Sequence, residues 1–170
     1  MGNLLFSPSG RVNPADFMRG VIILIVISAV LTLLPLISPA LGMLGILGII
    51  MIWCWIVLYV KRFHDAGKSG WLTVGVIVVM IVLSMIMSSV ITTMFAGDMQ
   101  AEIQKAATEA AESGDFGSIL KGSMEAGSAM AKKVAIPSAI GSAVLSYVVA
   151  MAVNKFFPHD EGENQYGPAT

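Results

Sequence analysis

A chain of 170 residues, 56% of them hydrophobic besides 17 glycines and only 12% charged, falls outside the soluble globular range, where charged residues make up about a quarter. Its net charge of -1 and pI ≈ 6.1 exclude a basic nucleic-acid-binding domain, and its mean hydropathy of +0.81 excludes a disordered chain. The single cysteine, Cys54, excludes a disulfide scaffold, so the composition predicts an all-α, integral membrane protein.

Charges mark the span ends, because a charged side chain at the bilayer centre costs at least ~2.5–3.5 kcal/mol. No charge falls between Arg19 and Lys61, an interval too long for one crossing of ~30 Å at ~1.5 Å per residue. Pro35, Ser38 and Pro39 divide it into spans at 20–37 and 40–60. The first is read as a permanent span, since it exceeds the ~7–15 apolar residues of a signal peptide and Ser38-Pro39-Ala40 is a poor cleavage site.

A third span covers 71–97, long enough to tilt or project. Residues 98–133 form a connection outside the bilayer, in which Met99, Ile103, Ala106, Ala107 and Ala110 follow helical spacing opposite Glu102, Lys105, Glu109 and Glu112. Asp98 is the expected N-cap of this helix and Gly114 its end, and a second weak helix is expected from 118 to 133, interrupted by Gly122 and Gly127. The fourth span is 134–153, followed by a tail at 154–170. The predicted fold is thus a four-helix membrane bundle with an additional helical extramembrane connection between helices three and four, in one domain.

Four crossings put both termini on one side. Arg11, Arg19, Lys61, Arg62, Lys68 and Lys155 lie on that side, no charge lies in the first turn, and the long connection balances its four lysines with six acidic residues. The positive-inside rule makes the termini cytoplasmic. Rows of small residues, Gly42-Gly45-Gly48, Ser84-Ser88-Thr92 and Ser138-Ser142-Ser146-Ala150, are expected at helix contacts. Tyr59, Phe63 and Trp71 are expected to anchor at the membrane interface.

Three stretches on the cytoplasmic side have specific composition: Ser9-Gly10-Arg11-Val12-Asn13-Pro14-Ala15-Asp16-Phe17, Lys61-Arg62-Phe63-His64-Asp65-Ala66-Gly67-Lys68-Ser69-Gly70-Trp71, and Gly162-Glu163-Asn164-Gln165-Tyr166-Gly167-Pro168. Through Arg62, His64, Asp65, Ser69, Gly70 and Trp71, and through Gly162, Asn164, Tyr166 and Gly167, the chain resembles the domain of unknown function 805 family of small bacterial inner-membrane proteins. The N-terminal match is partial: Pro14 stands where relatives commonly place a second arginine, and Met18 where they have tryptophan. The resemblance implies a multi-span inner-membrane protein and brings no activity with it.

The residues themselves point away from catalysis. Gly67-Lys68-Ser69 ends like a P-loop, but the position five residues before Gly67 is Arg62 rather than glycine. His64-Asp65 and His159-Asp160 have the elements of a metal site, yet adjacent loop residues rarely point at one ion, and His159 beyond Pro158 is expected in solvent. Cys54 has no ionisable neighbour in its span. No catalytic, cofactor or metal residue is assigned. Lys61, Arg62 and Lys68 are candidate contacts for anionic lipid headgroups. Gly10, Arg11, Arg62, His64, Asp65, Ser69, Gly70, Trp71, Asn164, Tyr166 and Gly167 are expected to form one cytoplasmic cap, with Asp65 accepting from Arg11 or Arg62 and the tail folded over the second loop. The functional expectation is a non-enzymatic inner-membrane protein acting as a structural or partner-binding module through its cytoplasmic loops, toward a protein partner or a second copy; the alternative is a small oligomeric channel or carrier.

Overall fold

In a computed structural model, which describes residues 5–113 and 116–168, the chain is all helix apart from its N-terminal segment, one loop and the tail. Helix α1 spans Pro14–Ile37, a 3-10 helix Pro39–Ile46, α2 Leu47–Asp65, α3 Leu72–Ser113 and α4 Phe116–Phe156. Among the described residues, four helical segments are long and apolar enough to cross a membrane, which makes this a multi-pass membrane protein.

The elements follow local chemistry more closely than the charge boundaries do. The side chain of Asn13 accepts from the Asp16 amide at 2.8 Å and Pro14 occupies the first turn, so α1 starts at 14 rather than 20. It ends where expected: Ser38 precedes Pro39 and is extended, at φ -152° and ψ 130°. The second crossing begins as a 3-10 helix rather than an α-helix. With three residues per turn, side chains three apart eclipse one another, and Gly42 and Gly45 fall three apart within it, Gly48 following in the first turn of α2. This gives the glycine row its account. Two of the three are not the expected helix contacts: a Cβ added at Gly45 or Gly48 would meet nothing within 4 Å, whereas one at Gly42 would lie 3.8 Å from Pro35 of α1. Gly20 is such a contact instead: a Cβ there would lie 2.9 Å from Leu58 Cδ1.

The connection is helical, and it is not separate from the spans. Residues 98–113 follow the third span across a kink at Ala96, and residues 116–133 begin α4 without a break at Gly122 or Gly127. At Ala96 the backbone is non-helical (φ -142°, ψ 19°), so α3 is two helices meeting at a kink beside the expected boundary at 97–98, and Asp98 lies in the first turn of the second one rather than at its cap. Gly114 lies outside the described residues.

α4 packs on both α1 and α3, and α1 on α2, whereas α2 and α3 touch little although only a short loop joins them. Phe17, Val21 and Leu24 form the buried stripe of α1; Cys54, Leu58, Tyr59 and Phe63 meet it from α2, and Ala150 and Val153 from α4. Tyr59 (4% exposed) and Phe63 (1%) therefore belong to the core and do not anchor at the interface. The Tyr59 ring packs edge-on to Phe17 at 5.3 Å and the Phe63 ring edge-on to Phe157 at 4.9 Å. Trp71, at 81% exposed, is the only one of the three free to anchor.

Candidate functional site: a buried polar cap

At the end of the bundle where α2, α4 and the segment before α1 meet, polar side chains replace the apolar core. Asp65 is the centre. Arg62, one helical turn earlier on α2, donates from Nη1 to Asp65 Oδ2 at 2.9 Å, and Arg11 Nη2 reaches Asp65 Oδ1 at 3.3 Å. The side chains of all three residues are 0% exposed. Two buried guanidinium groups against one carboxylate leave further N–H donors to be satisfied, and backbone carbonyls and the Asn154 side chain take most of them, Arg11 Nε being buried without a partner among the described residues. Arg11 Nη1 donates to the Gly162 carbonyl at 2.5 Å and to that of Gly167 at 3.3 Å, while its Nη2 also donates to the Asp160 carbonyl. Arg62 Nε donates to Asn154 Oδ1 at 2.6 Å and its Nη2 to the Phe157 carbonyl.

Each arginine thus joins segments distant in sequence. Arg62 ties α2 to the end of α4; Arg11 ties the N-terminal segment to the tail. Asn154 extends the tie, donating from Nδ2 to the Pro14 carbonyl at 3.3 Å. The Val12 amide donates to the Lys61 carbonyl at 3.3 Å, which fixes the N-terminal segment against α2. Gly10 turns into this position with φ +86°, a conformation that side chains disfavour.

The tail is folded over the loop as expected. The Asp160 amide donates to the Asp65 carbonyl at 3.2 Å, and Asn164 Nδ2 donates to the His64 carbonyl at 3.1 Å. Asn164 and Gly167 exchange backbone hydrogen bonds across a tight turn. The Tyr166 ring stacks on His64 with centroids 3.8 Å apart and planes 5° from parallel, and His64 Nδ1 donates to the Gly10 carbonyl at 3.2 Å.

Of the expected cap residues, Gly10, Arg11, Arg62, His64, Asp65, Asn164, Tyr166 and Gly167 are brought together. Gly70 packs beneath them, where an added Cβ would lie 2.9 Å from Val60 and 3.1 Å from His64 Nε2. Ser69 and Trp71 stand outside: Ser69 Oγ accepts from the Trp71 amide at 3.3 Å, and both residues are exposed. Asp65 accepts from both arginines, not from one. His159 is not in solvent; its Nδ1 lies 2.8 Å from Asp65 Oδ2. Lys61 and Arg62 are buried and cannot face lipid headgroups, which leaves Lys68 as the exposed cation of the loop. Asn154 and His159 were not in the predicted set. A single asparagine at a span end and a histidine after Pro158 give no sequence signal of a long-range partner.

The cap holds one titratable group that reports on the tail. Hydrogen bonds from the Asn164 side chain and the Gly162 amide pull the Asp160 carboxyl below its ordinary 3.8. A depressed carboxyl contributes stability that is present above its unfolded value and lost as pH falls through its folded value. The tail is therefore expected to stay docked through the ordinary carboxylate range and to loosen below it. A fluorophore at Gln165 checks this by its rotational freedom against pH, and Asp160→Asn is expected to remove the transition in that window.

Among the described residues, no group of three His, Cys, Asp or Glu side chains is placed to hold a metal ion. No curated protein and no solved structure matches the chain. The three segments that build the cap lie within the stretch matched by one family, at residues 5–168, and the chain belongs to that family, described as "Protein of unknown function (DUF805)".

Proposed function

We propose that this is a non-enzymatic, multi-pass protein of the bacterial inner membrane that presents the polar cap to the cytoplasm as a rigid partner-binding module. The observation that carries the reading is the shared burial of Arg11, Arg62 and Asp65. Apolar side chains of similar volume commonly hold a bundle end at equal or lower free energy than a buried ion network. A network that orders three segments gives a surface of defined shape, and its charged groups are spent on one another rather than aimed at a substrate. The exposed rim, with Lys68, Glu161, Glu163 and Gln165, is polar enough to meet a protein partner reversibly.

Orientation rests on the positive-inside rule. In a background lacking Cys54, a cysteine at Gln165 is expected to resist an impermeant thiol reagent in intact cells, and one at Glu112 is expected to react. The reverse pattern overturns the cytoplasmic assignment. For binding, the full chain is purified from membranes in mild detergent beside a Tyr166→Ala variant, in which the stack on His64 is lost. A stoichiometric partner retained by the natural chain and lost from the variant supports the module. Equal recovery from both, or none from either, overturns it.

A further inference from the structure

At the end of the bundle opposite the cap, the segment from 98 to 133 forms two helical arms, the outer part of α3 ending at Ser113 and the outer part of α4 beginning at Phe116. Among its described residues none is buried, and only Met99, Ile103, Ala126 and Met130 are half-buried. Helices owe most of their stability to a packed apolar face, and these arms have only one another to pack on. Two helices alone leave the flanks of such a hairpin open.

Each arm carries a polar stripe at helical spacing. On α3 it runs through Asp98, Glu102 and Lys105, on α4 through Lys132, Ser128 and Glu125, and all six residues are exposed. α3 and α4 pack together and only residues 114 and 115 separate them, so the arms are antiparallel. Counted from Ser113 and Phe116, Asp98 is level with Lys132, Glu102 with Ser128 and Lys105 with Glu125, each to within one residue. Negative, negative, positive on one arm thus stands beside positive, neutral, negative on the other. At turns of about 100° per residue from the half-buried seam, both stripes lie on the same side of the hairpin. Yet they do not close on each other: among the described residues, neither Asp98 and Lys132 nor Lys105 and Glu125 form an ion pair.

We propose that this side of the hairpin is the contact surface for a second copy of the chain, the two hairpins closing a four-helix bundle outside the membrane. A shared bilayer holds both copies upright, so a two-fold axis along its normal keeps every residue at its own height. α3 of each copy then faces α4 of the other, and like arms stand on the diagonal. Asp98 meets the partner's Lys132 and Lys105 meets the partner's Glu125, so charges left exposed in one copy find their opposites in the other. Exposed ion pairs are individually weak; here they select partner and register, while the bilayer has already restricted the tumbling that association must otherwise stop. Other occupants suit only half of the surface. Residues 98–113 hold Asp98, Glu102, Glu109 and Glu112 against one lysine, which repels anionic headgroups. A basic segment matching that arm opposes the other, where Lys121, Lys132 and Lys133 outnumber Glu125. The surface is independent of the cap, which lies at the far end of the bundle.

The test uses two differently tagged full chains in native membranes, both lacking Cys54, one with Glu102→Cys and the other with Ser128→Cys, the level without a charge pair. Mild oxidation is expected to join them by a disulfide. Two swaps preserve the net charge of the chain: Asp98→Lys with Lys105→Glu on α3, and Glu125→Lys with Lys132→Glu on α4. With the same swap in both copies, like charges meet at both levels, and the disulfide yield is expected to fall roughly tenfold. With one swap in each copy the facing charges are opposite again, and the yield is expected to recover. Recovery excludes misfolded arms, and it separates contact between copies from contact within one, which mixing leaves broken. No disulfide between unswapped chains, a yield indifferent to the swaps, or a mixture as poor as either swap alone overturns the proposal.

Discussion

Replacing Asp65 by alanine is expected to destabilise the protein by about 3–5 kcal/mol, the range found when one partner is removed from a buried charge network. The substitution leaves Arg11 and Arg62, each with a fully buried side chain, without a counter-charge, and it removes the acceptor of His159 as well. Both guanidinium groups keep carbonyl partners, but carbonyl dipoles do not neutralise two cations out of water. The damage should concentrate in the tail, which is held through Arg11 and His159, both partners of Asp65, and otherwise by the contacts of Asn164 and Tyr166 with His64. In detergent, the variant is expected to melt at lower temperature and to lose residues 158–168 to protease first. Asp65→Asn, which keeps an acceptor but not the charge, should lie between the two. Unchanged melting and tail protection in Asp65→Ala would mean that the arginines reach water and that the cap is not a buried network.

Arg62→Lys is expected to be nearly as damaging, despite preserving the charge. The planar fork points Nε at Asn154, Nη1 at Asp65 and Nη2 at Phe157, in three directions fixed by one rigid group. A lysine ammonium is a compact centre that can follow one of these and leaves the other acceptors buried and unpaired. Hydrogen bonds to charged groups contribute about 1.5–3 kcal/mol each, so the loss of two amounts to several kcal/mol. The contacts to Asn154 and Phe157 join α2 to the end of α4, so separation of these elements is the specific readout. Cysteines at Ala66 and Gln165 should form a disulfide quickly in the otherwise natural chain and much more slowly with Lys at 62. An equal rate in both would show that positive charge alone, rather than the fork, holds the cap together.

The cap was partly legible in the sequence because its chemistry is local and dense. Gly10-Arg11, Arg62-x-His64-Asp65 and Asn164-x-Tyr166-Gly167 each combine a turn residue with donors or acceptors, and counting crossings puts all three at one end of the bundle. What periodicity could not supply was partner choice: that Asp65 takes Arg11 as well as Arg62, or that His159 turns inward, depends on contacts 54 and 94 residues apart. The spans were readable from charge, but helix ends were not, because helices run past the membrane boundary until a cap or a break stops them. Asn13-Pro14 is such a signal and sets the start of α1. No comparable break lies between Lys132 and Val134, so α4 continues across that boundary. The glycine row shows the opposite limit, since a spacing of three reads equally as close helix packing or as relief of eclipsing in a 3-10 helix.

The sequence separation of the cap's contacts also sets an order in time. Arg11 donates to the carbonyls of Gly162 and Gly167, which are synthesised 151 and 156 residues after it. In the orientation proposed here, Arg11 and Arg62 therefore stay hydrated at the cytoplasmic surface while the intervening chain is made, where their charges can oppose translocation of the segments that carry them. Only when the tail emerges can they be desolvated. The same two side chains thus act first as topological signals for insertion and then as the centre of the finished fold, and a chain truncated before Asp160 would retain the first role and lose the second.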